Sequence, residues 1–84
     1  MTSDEIKDTV LRMLGEIAPE LDPASIKPDV DFRDQLDLDS MDFLNFVIAV
    51  DQELHVEIPE ADYPRLATLD GFVAYVGERL GVPA

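Results

Sequence analysis

Apolar side chains in this sequence return every three or four residues, in stretches that proline and glycine keep apart. Ile6, Val10, Met13, Leu14 and Ile17 fall at i, i+4, i+7, i+8 and i+11, which is one face of an amphipathic helix. Thr2 followed three residues later by Glu5 is a capping-box signature, and Pro19 ends the helix near Ala18. A second helix begins with Asp39 as N-cap and Ser40 at its first position, and runs to about Leu54. Pro59 suits the first turn of a third segment, which Pro64 confines to a turn or two. Thr68 caps a last helix carrying Leu69, Phe72, Val73, Val76 and Leu80, with Gly81 as its stop and Pro83 beyond. Leu54 to Ile58 alternates weakly, but it is too short and isolated to be read as a strand. The expectation is an all-α, three-to-four-helix bundle, with helices near 3–18, 40–54, 60–66 and 68–80.

Between the first two helices, residues 19–38 hold Pro23, Pro28 and several aspartates with little periodicity. They read as one long connection, pinned to the core by Ile26, Val30, Phe32 and Leu36. So long a loop in so small a domain is unusual and often functional. The 84 residues make one domain, 1–84, near the size at which a single core must supply most of the stability.

Charge is the compositional anomaly. The formal net charge is −13, and there is no cysteine. Disulfides, thiolate metal sites and a thiol nucleophile are therefore excluded. A surface this acidic repels nucleic acid and anionic membranes and favours basic protein partners. From Asp29 to Asp42 six aspartates face one base, Arg33, and from Asp51 to Asp62 five acids face no lysine or arginine. No apolar run approaches the roughly 18 residues of a membrane span, and no basic-then-apolar signal pattern opens the chain. A cytoplasmic monomer without membrane insertion is expected.

Advancing about 100° per residue along the second helix places Phe43, Phe46, Val47, Val50 and Leu54 on one core-facing arc. Met41, Leu44 and Ile48 form a separate stripe. It is either covered by the long loop, with help from Leu38, or is a partner-binding strip bordered by acids. Asp42, Asn45, Gln52 and Glu53 fill the polar sector.

Asp37-Leu38-Asp39-Ser40-Met41-Asp42 is the most informative stretch. The first turn of a helix offers unpaired N–H groups and partial positive charge, a seat for a phosphate ester. Serine at that position is also an ordinary cap or first-turn residue. A calcium loop fails for want of the glycine and closing glutamate at the required spacing. An aspartate-dependent phosphatase fails for want of a preceding strand and of chain length. A hydrolase Ser40 would need a base, and the only histidine, His55, lies about four helical turns away.

Asp39-Ser40-Met41-Asp42 resembles the Asp-Ser-Leu-Asp/Glu signature of acyl carrier proteins. Phe32 and Leu36 match that family's Phe-x-x-x-Leu, Glu57-Ile58-Pro59 follows at the family's distance, and Thr68-Leu69 opens the last helix in register. The resemblance spans nearly the whole chain, most specifically Phe32 to Val76. It implies an up-down bundle and a non-catalytic carrier. A phosphopantetheinyl transferase would join the 4'-phosphopantetheine arm of coenzyme A to Ser40, with Asp39 flanking. The arm's thiol would hold acyl groups as thioesters for acyl-transferring, acyl-activating and condensing enzymes with basic docking patches. Docking maps onto Met41, Asp42, Leu44, Asn45, Ile48, Asp51 and Glu53, with Asp39 adding charge. Three positions depart from the pattern. Met41 replaces the commoner leucine, Asp37 stands where many members have glycine, and Asn45 stands where fatty-acid carriers commonly have glutamate. The last points towards a dedicated carrier for a specialised pathway. An aminoacyl or peptidyl carrier, or an unmodified helical interaction module, are the alternatives.

Overall fold

A computed structural model describes residues 1–82 and is helical throughout its regular structure. Helix α1 spans Ser3–Ile17, α2 Phe32–Gln35, α3 Ser40–Leu54 and α4 Leu69–Leu80. Two 3-10 segments, Pro23–Ser25 and Glu60–Leu66, lie in the connections. Pro83, expected beyond the last helix, lies outside the described residues. No helix among them is long and apolar enough to cross a membrane.

Each long helix starts on the residue whose side chain can satisfy an orphan N–H. Thr2 Oγ1 accepts from the Glu5 N–H and the Glu5 carboxylate accepts from the Thr2 N–H, closing a capping box. Asp39 Oδ1 accepts from Asp42 N–H at 2.8 Å, and Thr68 Oγ1 from Gly71 N–H at 3.0 Å. Gly71 is required there for space: a Cβ would stand 2.6 Å from the Arg65 carbonyl oxygen. At the C-termini, His55 (φ 53°) and Gly81 (φ 71°) adopt the left-handed conformation that lets the chain leave a helix.

The long connection is more structured than its lack of periodicity suggests. Asp22 caps the Pro23–Ser25 turn and Asp31 caps α2. These aspartates act locally, through one side-chain hydrogen bond each, and so leave no periodic trace in the sequence. Ile26 and Phe32 are buried as expected, whereas Val30 and Leu36 are half-buried. The third helical segment is 3-10 rather than α and carries Pro64 inside it, which has no N–H to give.

Phe46 is the hub of the core. Its ring lies 5.4 Å from Phe32, edge-on, 5.1 Å from Phe72 and 6.4 Å from Phe43. Phe32, Phe46 and Phe72 are fully buried, as are Ile6, Val10 and Leu14 of α1 and Val50 of α3. Phe43 and Leu54, placed by helical phase on the same arc, are only half-buried, because they lie in the first and last turns of α3 rather than along its middle. The Phe32 N–H also donates to the Ala67 carbonyl at 2.8 Å, which ties α2 to the end of the Glu60–Leu66 segment.

Candidate functional site

Ser40 stands at the first position of α3 and is exposed. With Asp42 N–H bonded to the Asp39 carboxylate and Phe43 N–H to the Asp39 carbonyl, the N–H groups of Ser40 and Met41 remain without an acceptor inside the helix. The Arg33 guanidinium reaches the hydroxyl from α2: its Nη2 donates to Ser40 Oγ at 3.2 Å. The same guanidinium lies 5.5 Å from the centre of the Phe43 ring.

Ser40 opens onto a cavity of about 530 Å³ lined by Asp31, Arg33, Phe43, Leu44, Tyr63, Pro64 and others. Its walls come from α2, α3 and the Glu60–Leu66 segment. That segment is fastened to α4 by a polar cluster. The buried Tyr75 hydroxyl donates to Asp62 Oδ2 at 2.7 Å and accepts from Arg79 Nη2 at 2.9 Å. Arg65 and Arg79 lie 4.9 and 5.3 Å from the centre of the Tyr75 ring. The Tyr75 hydrogen bond, and then Arg79, hold the Asp62 carboxyl below its ordinary pKa. Burial, and then the Asp62 carboxylate, push the Tyr75 phenol up.

The structure distributes the residues expected at a docking surface unevenly along α3. Met41 and Ile48 are exposed large apolar side chains, at 62% and 41%. Leu44, from the same stripe, is half-buried and faces the cavity beside Ser40. Asn45 is exposed and Asp42 and Asp51 are partly so. Glu53 is tied to α1 by an ion pair with Arg12 at 2.7 Å, and it lies about 20 Å along the helix from Ser40. His55 caps the far end of α3 and takes no part around Ser40. No group of His, Cys, Asp and Glu able to hold a metal occurs among the described residues.

The sequence reading gave no role at this site to Arg33, Tyr63 or Pro64, Pro64 being read only as the limit of the third segment. Arg33 carried a signal, as the lone base in an acidic run. Tyr63 and Pro64 carried none, since only the packing of the 3-10 segment brings them opposite Leu44.

The residues around Ser40 suit a phosphate-linked arm: an exposed hydroxyl, uncommitted N–H groups, a guanidinium in reach and a largely apolar cavity alongside. Comparison with known proteins names the class. The family model for the phosphopantetheine attachment site matches residues 4–76. The chain is 31% identical over 75 residues to the acyl carrier protein of Bdellovibrio bacteriovorus, a match covering 89% of this chain and 90% of that protein. It is also 31% identical over 77 residues to the acyl carrier protein of Zymomonas mobilis, covering 92% of each. The fold is similar to that of an acyl carrier protein from Enterococcus faecalis, with a TM-score of 0.73 at 21% identity, over 94% of this chain and 99% of that one. This chain belongs to the acyl carrier protein family, whose prosthetic group is a covalently attached 4'-phosphopantetheine.

Proposed function

We propose that Ser40 is the attachment residue, and that residues 1–84 act as one domain carrying acyl groups between enzymes. The observation that carries this reading is the placement of Ser40. Its hydroxyl is exposed at the first turn of α3, 3.2 Å from Arg33, at the edge of the cavity. In the loading reaction Ser40 Oγ, losing its proton, forms the new oxygen–phosphorus bond to the pantetheine-bearing phosphate of coenzyme A as the bond to the nucleotide phosphate breaks. The arm supplies the thiol, absent from the chain, on which acyl groups are held as thioesters. Asp39 keeps the start of α3 ordered by capping Asp42. Phe43, Leu44, Tyr63, Pro64 and Ala67 offer an apolar lining against which the first carbons of a cargo chain can be shielded from water.

Partner enzymes, beginning with a phosphopantetheinyl transferase, dock on α3. Met41 and Ile48 supply the exposed apolar contacts, and Asp39, Asp42 and Asp51 the charge that basic patches seek. Leu44 contributes from the cavity rim. Glu53, engaged by Arg12, sits at the far margin. Asn45 leaves a neutral gap in this surface, which supports a carrier dedicated to a specialised pathway. The protein is to be incubated with coenzyme A and a broad-specificity transferase and its intact mass recorded. A gain of one phosphopantetheine, followed by formation of a thioester on the new thiol, supports the carrier reading. An unchanged mass would favour an unmodified interaction module.

A further inference from the structure

We propose that Arg33 is a positioning residue for the arm: its guanidinium holds the phosphodiester at Ser40 and thereby fixes the root of the arm at the mouth of the cavity. This rests on Ser40 being the attachment residue. The chain has four arginines. Arg12, Arg65 and Arg79 each pair with a carboxylate, on Glu53, Glu78 and Asp62. Arg33 forms no ion pair among the described residues, although Asp31, Asp34, Asp37 and Asp39 are its neighbours in sequence. Its side chain is turned instead towards Ser40 Oγ, the atom that becomes the ester oxygen.

That orientation is built in from the core outwards. Phe32, fully buried against Phe46, fixes the start of α2. Asp31 Oδ1 accepts from the Arg33 N–H at 2.8 Å and sets the next residue. The guanidinium then lies over the Phe43 ring, 5.5 Å from its centre, a cation–π contact that uses none of its N–H donors as hydrogen bonds to an acceptor atom. A serine hydroxyl engages one of its five donors. A phosphodiester on the same oxygen would place two non-bridging oxygens, sharing one negative charge, two bonds further on, and such a pair matches the guanidinium fork far better than the hydroxyl does.

Charge makes the need concrete. From Asp29 to Asp42 the chain already carries six acids and one base. A phosphodiester adds a negative charge in that field, and Arg33 is the one base within that stretch to offset it. Arg33 should also keep the arm's root directed along the cavity rather than away from it, because both residues line the same opening.

The test uses the full chain loaded by coenzyme A and a broad-specificity transferase, as wild type, Arg33→Gln and Arg33→Lys, with fragment mass spectrometry reporting the loaded residue. Thermal melts of the unloaded proteins check the fold, which an exposed Arg33 should hardly affect. In wild type, loading should shift the Arg33 Nε–H resonance and leave that of Arg12 in place. The phosphorus resonance of loaded Arg33→Gln should move towards that of a free phosphodiester and sharpen, with Arg33→Lys in between, since lysine restores charge without the fork. High salt should move the wild-type resonance in the same direction and leave Arg33→Gln nearly still. An arm on Ser40 with the same phosphorus shift and linewidth in wild type and Arg33→Gln would overturn this proposal alone. An arm on another residue, or none, would overturn the assignment of Ser40 and this proposal with it.

Discussion

Phe32 lies in a stretch without helical periodicity, yet it is fully buried, and removing it should cost as much as removing a residue of a long helix. Its ring meets Phe46 edge-on at 5.4 Å, and its N–H holds the Ala67 carbonyl at 2.8 Å. Phe32→Ala leaves the second contact and deletes the first, together with all the ring's burial. Such truncations cost about 3–5 kcal/mol. A domain of 84 residues holds only about 4–13 kcal/mol in all, at roughly 0.05–0.15 kcal/mol per residue. Each kcal/mol moves the midpoint of so small a domain by roughly 4–8 °C, so the fall should be at least about 12 °C. The assay is a thermal melt followed by far-ultraviolet circular dichroism. Phe32→Leu, which keeps most of the apolar volume, should fall by clearly less. Met41→Ala, at a 62% exposed position, should stay within about 0.5 kcal/mol of wild type. If Phe32→Ala melts no lower than Met41→Ala, the connection is not anchored as described and α2 is not a fixed platform for Arg33.

The Asp62–Tyr75 bond should make stability depend on pH at both ends. Asp62's lowered folded pKa means its contribution is complete above the ordinary carboxylate range and is lost as pH falls through the lowered value. Tyr75's raised pKa means its contribution is complete below the ordinary phenol range and is lost as pH rises through the raised value. Tyr75→Phe should flatten both limbs of a plot of melting temperature against pH, and unchanged limbs would contradict the cluster. Self-repulsion at a net charge of −13 should make the melting temperature climb from low to moderate sodium chloride, and a flat or falling response would contradict it. For docking, Asn45→Glu should tighten binding to a fatty-acid-synthase component by severalfold at most, with a gain that salt erodes, because an exposed charge pair is worth at most about 1 kcal/mol. Leu44→Ala should weaken the transferase and that component alike with little salt dependence, in titrations at two ionic strengths, and unchanged affinity would remove Leu44 from the interface.

The three long helices were legible because burial on one face imposes a period, and because Thr2, Asp39 and Thr68 are residues with a short acceptor where a helix needs one. Val47 and Phe72, both on the apolar arcs of their helices, are buried for the same reason. The connection was half legible: Phe32 and Ile26 could be singled out as anchors, but α2 could not, since four residues are too few to show a period. Around Ser40, position on the helix followed from the sequence while the surroundings did not. Leu44 shares a helical stripe with Met41 and Ile48, and only the 3-10 segment opposite makes it part of a cavity wall. Arg33, seven residues from Ser40, reaches it because α2 turns the chain back, a geometry that spacing alone cannot express. The departure at Asn45 remains visible in the structure as an exposed, uncharged position between Asp42 and Asp51 on α3.

The central claim is that one serine at the start of α3 bears the arm, and the most direct measurement locates the modification itself. The chain has only two other serines, Ser3 and Ser25. After loading with coenzyme A and a transferase, digestion and fragment sequencing by mass spectrometry should place the whole mass gain on Ser40. Ser40→Ala should melt close to wild type, because an exposed hydroxyl contributes little to stability, and it should take up no arm. Modification of Ser40→Ala to the same extent as wild type, or a fragment map placing the arm on Ser3 or Ser25, would contradict the account.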